Sequence, residues 1–115
     1  MECVFCKIRD RKLAADFEYE SDSVMAFSDI NPAAEVHILV VPKEHIQTFL
    51  DLSDESQDVL NKIFRALVKL IGEKKLENKY RILCNGGALQ LVPHLHFHLL
   101  GGKWFKDVAG QHDAN

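Results

Sequence analysis

The chain has 115 residues, 47% of them hydrophobic and 27% charged, which fits a single domain spanning residues 1–115. With 14 basic and 17 acidic side chains, its formal net charge of −3 excludes the basic surface that binding extended nucleic acid requires. The longest apolar stretch, residues 36–41, is far shorter than the roughly 20 residues that cross a bilayer. No secretory signal is legible at the start, so we expect a cytoplasmic protein with no membrane partner.

The first third of the chain predicts one short helix and three strands. Apolar and charged residues alternate at helical spacing over residues 3–12, which indicates a short N-terminal helix. Segments bounded by turn-forming residues predict strands at Phe17–Glu20, at Val24–Ser28 and over residues 36–41.

The remainder predicts one long helix and two further strands. Ser53 precedes two acidic residues, and Gly72 can close the helix that begins there. Residues 80–84 and 94–100 are predicted strands, and we expect Cys84 to be a buried small hydrophobic residue. Because the connections are too short for parallel crossovers, we expect an α+β fold with a five-stranded antiparallel sheet. Apolar positions three and four residues apart define the helix: Leu60, Ile63, Phe64, Leu67, Leu70 and Ile71.

Three histidines alternate with apolar residues near the end of the chain. On a strand, His94, His96 and His98 share one face, and the intervening apolar side chains enter the core. One alternative is a solvated strand face that happens to be rich in histidine. Another is a catalytic zinc held by these imidazoles, with an open position for water.

This heptad fits the pattern His-φ-His-φ-His-φ-φ, with φ apolar, and so resembles the histidine triad family. Residues 27–32 and 37–45 resemble the family's nucleotide-binding strand pair, and residues 3–8 resemble the opening of its bacterial-type members. The resemblance covers nearly the whole chain and points to the histidine triad nucleotide-binding branch. It implies an enzyme that cleaves at the α-phosphate of purine nucleoside 5′-monophosphate derivatives, such as AMP phosphoramidates, without an organic cofactor.

The resemblance also implies the catalytic residues. His96 matches the nucleophile, His98 a donor to the phosphate oxygens, and His37 the residue that buttresses the nucleophile. The chemistry of imidazole agrees, because its unperturbed pKa of about 6.5 leaves it largely neutral and nucleophilic at neutral pH. For His37, an ordinary partly buried histidine remains the alternative.

A nucleotide pocket is implied beside the triad. Its apolar members match positions that sandwich the purine, although core packing could also explain them. Asp29 matches the carboxylate that accepts both ribose hydroxyls, and its alternative role is that of a turn residue before Asn31 and Pro32. The implied nucleotide-binding residues are Phe5, Ile8, Phe27, Ser28, Asp29, Ile30, Leu39, Asn85 and Gln90.

The loop before the triad departs from the family pattern. It is about two residues shorter than usual, Leu91 replaces a hydroxyl residue that contacts the phosphate or leaving group, and Leu89 replaces a glycine. Two other functions therefore stay open. One is the hydrolysis of diadenosine polyphosphates, as in a sister branch, and the other is nucleotide binding with little turnover.

Cys3 and Cys6 form a Cys-x-x-Cys pair that is common to redox and zinc sites. The resemblance implies that His45 and His94 complete a closed, structural Cys2His2 zinc site with them. Metal-free thiols and redox chemistry are the alternatives.

A homodimer is also expected. A single sheet with one long helix leaves an edge strand and an apolar helix flank unprotected, and two-fold pairing commonly covers such surfaces. The resemblance implies pairing through residues 53–72 and 80–84. Val59, Phe64 and Val68 make the helix apolar over more of its circumference than one core contact requires, so we expect the excess to face the partner. We expect residues from about 103 to 115 to form a tail that is flexible or contacts the partner.

Overall fold

The computed structural model describes residues 3–105. The helices are α1 (Val4–Arg9) and α2 (Gln57–Glu73). The strands are β1 (Phe17–Glu20), β2 (Val24–Ser28), β3 (Ala34–Pro42), β4 (Tyr80–Leu83) and β5 (Phe97–Trp104). They form one five-stranded sheet in the order β1-β2-β3-β5-β4. All four neighbouring pairs are antiparallel, so the expected α+β architecture is confirmed.

The two faces of the sheet carry separate apolar clusters, because successive side chains of a strand point to opposite faces. One face packs against α2, whose Ile63, Ala66, Leu67 and Leu70 are buried there. The opposite face carries α1 and the cluster of Phe5, Ile8, Met25, Phe27 and Leu39. Leu95, Phe97 and Leu99 belong to the α2 side, as the alternation predicts. The intervening histidines are thereby directed to the α1 side.

Both helices begin or end at residues other than those predicted. The Ser53 hydroxyl accepts from the amide of Glu55, and the Ser53 amide donates to the hydroxyl of Ser56. These reciprocal bonds cap a short 3-10 turn at Asp54–Ser56, so α2 begins at Gln57 rather than at Ser53. At the N-terminus, Arg11 adopts φ 63°, a left-handed conformation that a continuing helix does not allow. Helix α1 is therefore shorter than residues 3–12.

The last strand begins later than the predicted residue 94. The amide of His94 donates to the carbonyl of Val92 at 2.8 Å, and that of Leu95 donates to Ile46 at 2.7 Å. The backbone of this segment is thus bonded to loops rather than to a neighbouring strand, and β5 starts at Phe97.

The edge strand β4 is poorly covered by α2. Tyr80 and Ile82 are 49% and 40% exposed, and Cys84, which follows the strand, is exposed as well. The predicted burial of Cys84 is therefore wrong. Of the helix residues expected to face a partner, Phe64 and Val68 are exposed, whereas Val59 packs partly against the core.

The predicted tail, from about residue 103 to 115, begins inside the last strand. Lys103 and Trp104 complete β5, so they are strand residues rather than the start of a tail. Residues 106–115 lie outside the described residues. No helix within residues 3–105 is long and apolar enough to cross a membrane.

Candidate active site

The four predicted zinc ligands lie together at the N-terminus of α1. Cys3 is the N-cap of this helix, and its Sγ accepts from the amide of Cys6 at 3.4 Å. The Sγ atoms of Cys3 and Cys6 lie 3.3 and 3.7 Å from Nδ1 of His94, and Cys6 Sγ lies 3.3 Å from Nδ1 of His45. All four candidate ligand atoms are within 4.8 Å of one another. The helix turn, the loop after β3 and the segment before β5 therefore meet at this cluster.

The geometry of this cluster fits a tetrahedral zinc ion. Bond lengths of about 2.3 Å to sulfur and 2.0 Å to nitrogen place the ligand atoms roughly 3.3 to 3.8 Å apart. The two Nδ1 atoms of His45 and His94 are 3.2 Å apart, and the sulfur-to-nitrogen distances are 3.3 to 3.7 Å. Nε2 of the buried His94 donates to the carbonyl of Pro42 at 2.8 Å, so neutral His94 presents the lone pair of Nδ1 to the cluster. Burial is the main cause that lowers the pKa of His94 to about 4, which keeps the ring neutral.

A single backbone hydrogen bond fixes the tautomer of His96. Its Nδ1 lies 2.7 Å from the carbonyl of His94, and because a carbonyl only accepts, Nδ1 carries the proton. The lone pair is then on Nε2. The ring is 5% exposed and stands edge-on to Phe5, with centroids 5.1 Å apart. Burial lowers the pKa of His96, which favours the neutral form, although the bond to His94 and the charge of Asp29 act in the opposite direction.

His37 and His98 form a directed pair. The amide of Ala33 donates to Nδ1 of His37 at 3.0 Å, so the proton of the neutral ring is on Nε2. Nε2 lies 2.9 Å from Nδ1 of His98 and donates to it, which leaves the His98 proton on its own Nε2. Within residues 3–105, this buried Nε2 has no hydrogen-bond partner. The His98 ring lies 5.0 Å from that of His96, measured between centroids.

His98 remains neutral over a wide pH range. Burial is the largest cause that lowers its pKa to about 4, followed by repulsion from His96 and His37 when these are charged. Asp29, His37 and His98 form a second group with metal-ligating atoms close together. The lone pair of Nδ1 of His98 is, however, already used by Nε2–H of His37, so this group serves as a hydrogen-bond relay.

Asp29 lies beside this relay, at the start of the loop that joins β2 to β3. One carboxylate oxygen, Oδ1, accepts from the amide of Asn31 at 2.9 Å, as expected for a turn residue. The other, Oδ2, lies 3.4 Å from Nε2 of His37. The turn role of Asp29 is therefore compatible with its position beside His37 and His98.

An apolar cluster lies next to the triad. Phe5, Ile8, Phe27 and Leu39 are all buried in one cluster, and Phe5 and Phe27 meet edge to face with centroids 5.5 Å apart. Ile30 does not join them, since it is 96% exposed on the loop that carries Asp29. The structure thus brings together four of the five apolar residues expected around the purine and leaves the fifth on the surface.

Three polar residues expected in the nucleotide site are placed differently from one another. The side chain of Ser28 follows that of Phe27 and so points to the α2 face, where its hydroxyl donates to Glu18 at 3.1 Å. The Ser28 hydroxyl therefore lies on the opposite face of the sheet from the histidines. The side-chain Nε2 of Gln90 donates to the backbone carbonyl of Gln47 at 2.7 Å, which connects the loop before the triad to the loop after β3. Asn85 lies two residues beyond Leu83, which pairs with His98.

Sequence reasoning missed the backbone groups that set the histidine tautomers. The Ala33 amide, the Pro42 carbonyl and the His94 carbonyl each fix one ring nitrogen. Main-chain groups are the same at every residue, so no side-chain pattern could have indicated them.

Comparison with known proteins identifies the family. A protein-family model with the description ‘Scavenger mRNA decapping enzyme C-term binding’ matches residues 2–111 of this chain. The purine nucleoside phosphoramidase of Escherichia coli K12 is 38% identical over 107 residues, covering 89% of this chain and 88% of that protein. A HIT family hydrolase from Legionella pneumophila Philadelphia 1 superposes with a TM-score of 0.86 at 37% identity, covering 89% of this chain and 94% of its own. A histidine triad protein from Clostridium difficile superposes with a TM-score of 0.84 at 39% identity, covering 94% of this chain and 96% of its own. The chain belongs to the histidine triad family of hydrolases.

Proposed function

We propose that this hydrolase cleaves purine nucleoside 5′-phosphoramidates and related monophosphate derivatives through a nucleotide bound covalently to His96. The main observation behind this proposal is that two neighbouring imidazoles carry their protons on different nitrogens. His96 has its lone pair on Nε2, and His98 has a buried proton on Nε2 without a partner within residues 3–105. A buried donor left unpaired costs about 1–3 kcal/mol, which a phosphate oxygen would offset. The name of the Escherichia coli relative supports the same substrate class.

The proposed reaction has two displacements. Nε2 of His96 attacks the α-phosphorus, the bond from phosphorus to the leaving nitrogen breaks, and that nitrogen departs with the bonding electrons. It takes a proton from solvent, because Leu91 stands where the family has a hydroxyl and is itself 91% exposed. Water then attacks phosphorus and loses a proton to solvent, and the bond from phosphorus to Nε2 breaks, which releases the nucleoside monophosphate and restores the His96 lone pair. In both steps Nε2–H of His98 donates to a phosphate oxygen as charge develops.

The nucleotide is proposed to bind across the α1 face of the sheet. Phe5, Ile8, Phe27 and Leu39 offer an apolar wall to the purine, and the Asp29 carboxylate accepts the ribose hydroxyls. Ile30 is exposed on the same loop, and we propose that it covers the bound base from outside. Asn85 and Gln90 hold the loop that borders the phosphate.

Incubation with an adenosine 5′-phosphoramidate tests this function. We expect AMP release and, after rapid acid-free quenching, a peptide containing His96 with one added AMP group by mass spectrometry. Saturable binding with no AMP release would instead support a nucleotide-binding module. Faster cleavage of diadenosine polyphosphates than of phosphoramidates would support the sister-branch activity.

We propose that the Cys3, Cys6, His45 and His94 cluster holds a structural zinc ion. When bound there, zinc would supply no chemistry to the substrate, because four protein ligands close the site. Its place in the fold is nevertheless close to the reaction. Cys3 and Cys6 flank Phe5, whose ring contacts those of His94 and His96 with centroids 5.7 and 5.1 Å apart. The cluster therefore positions α1 against the segment that carries the nucleophile.

A homodimer is proposed through α2 and β4. Phe64 and Val68 are 50% and 69% exposed on α2, next to the edge strand with exposed Tyr80 and Ile82. A shallow depression of about 520 Å³ lies on this helix, lined by Asn61, Phe64, Arg65, Val68 and Lys69. Light scattering should give about twice the chain mass of 13.1 kDa. Val68→Glu should yield monomers, whereas Asp58→Lys at an exposed polar position of α2 should not; a monomeric wild type would refute the proposal.

A further inference from the structure

The Asp29 carboxylate is held at one oxygen and only loosely engaged at the other. Oδ1 is fixed by the Asn31 amide at 2.9 Å, whereas Oδ2 lies 3.4 Å from Nε2 of His37. The Asp29 side chain is 20% exposed, compared with 5% for His37. Asp29 therefore stands at the boundary between the solvent-accessible loop and the buried histidines.

The proton on Nε2 of His37 lies between a nitrogen acceptor and a carboxylate. Because the Ala33 amide occupies Nδ1, the neutral ring has only this one proton to donate. Nδ1 of His98 accepts it at 2.9 Å, whereas Oδ2 of Asp29 lies 3.4 Å from Nε2 and acts on the proton through its charge. The negative charge pulls the proton away from Nδ1 of His98, so Asp29 weakens the bond that orients His98.

We propose that the ribose hydroxyls and His37 share Asp29, so that a bound ribose strengthens the bond from His37 to His98. This inference rests on the proposed function and deepens it. Hydroxyls that donate to the carboxylate occupy its lone pairs and reduce its pull on Nε2–H of His37. The His98 ring is then held by the full bond at Nδ1, which fixes the direction of its Nε2–H toward the phosphate. Asp29 acts as a positioning residue, through two histidines, besides its contact with the sugar.

Sharing of Asp29 between ribose and His37 affects which sugar the enzyme selects. A contact that binds ribose equally in the ground state and the transition state changes KM and leaves the chemical step unchanged. A contact that also orients the His98 donor changes the rate of that step. We therefore expect this enzyme to select ribonucleotides over deoxyribonucleotides in the rate of phosphorus transfer as well as in binding.

The experiment compares adenosine 5′-phosphoramidate with its 2′-deoxy and 3′-deoxy analogues in single turnovers at saturating substrate, which removes product release from the rate. Loss of one hydroxyl should slow nucleotidylation of His96 by about 10-fold, the scale of a slightly misplaced catalytic group. Asp29→Asn removes the charge that pulls on the His37 proton, so the deoxy analogues should then react about as fast as the ribonucleotide. Asp58→Asn, at a remote exposed carboxylate of α2, should preserve the difference.

A variant of His37 shows whether the effect passes through the relay. In His37→Asn, and in His37→Ala if the first variant does not fold, the rate difference between ribo and deoxy substrates should vanish. The difference in KM should remain, because Asp29 still accepts the hydroxyls. A rate difference that persists in these variants would overturn this proposal. So would the finding that the deoxy analogues differ from the ribonucleotide in KM only. Neither result would contradict the proposed function. No AMP release from the ribonucleotide overturns both.

Discussion

Two histidine clusters lie side by side in this enzyme and are built from neighbouring residues, yet their imidazoles are arranged in opposite ways. At Cys3, Cys6, His45 and His94, the ligand atoms converge within 4.8 Å. At His37 and His98, hydrogen bonds run in one direction, from the Ala33 amide through both rings to the buried Nε2–H of His98. Converging lone pairs suit a cation, whereas a directed chain of donors suits a developing negative charge.

The tautomers of His94 and His96 are set by the backbone group at one nitrogen of each ring. His94 donates to Pro42 and so presents a lone pair at Nδ1, while His96 donates to His94 and presents a lone pair at Nε2. His94 thereby links the cysteines to His96, because its ring faces the cysteines and its carbonyl orients the His96 ring. Four predictions separate the two clusters, beginning with the largest expected effect.

Replacement of His96 should abolish turnover. His96→Ala removes the nucleophile, so we expect AMP release to fall by about 10⁴-fold or more while AMP binding stays within a few fold. Binding is measured by calorimetry and hydrolysis by AMP release. Zinc content should be unchanged, since His96 is not a member of the metal cluster; loss of zinc in this variant would support a catalytic metal and contradict the mechanism.

Replacement of His98 should slow the reaction without abolishing it. His98→Ala removes one positioned donor to the phosphate, which lowers kcat by about 10- to 1000-fold. Nucleotidylation of His96 should still be detectable by mass spectrometry. An effect confined to KM would assign His98 to ground-state binding instead.

Replacement of a cysteine should affect stability more than chemistry. Cys6→Ser removes a zinc ligand, so protein purified without added zinc should fall from about one zinc per chain to much less. Its midpoint of thermal unfolding should drop by about 5 °C or more. Cys84→Ser, at the exposed third cysteine, is the matched control and should change neither quantity. Equal zinc content in Cys6→Ser and wild type would exclude the proposed site.

The smallest effect is on the pH dependence of stability. Burial lowers the pKa of His98 from 6.5 to about 4, so between these values the unfolded chain binds more protons than the folded one. Stability should therefore decrease as pH falls from 6.5 toward 4. Urea unfolding of wild type and His98→Asn should show a shallower decrease in the variant, because asparagine does not titrate. Identical slopes would contradict the buried neutral state of His98.

Alternation along the chain was enough to predict much of the fold and site. The bounds of β1 and β2 were predicted to the residue, and the period of two separates Leu95, Phe97 and Leu99 from the intervening histidines. The spacing of apolar residues located α2, although the Ser53 turn displaced its start. These features depend on side chains that are close in sequence, so the order of residues alone predicts them.

Only the tertiary structure decided how the histidines differ and which expected residues reach the site. His94 leaves the row of the triad for the cysteines because Leu95 is bonded to Ile46 rather than to a strand. Ser28 bonds to Glu18 on the α2 face, and Cys84 is exposed because α2 does not cover the edge strand. Tautomers depend on backbone groups that reach the rings only in the folded conformation. The Pro42 carbonyl comes from a distant part of the chain, whereas Ala33 and His94 are four and two residues from the rings that they contact. The sequence by itself determined which residue types were available, and the packing of loops against the sheet determined the task of each.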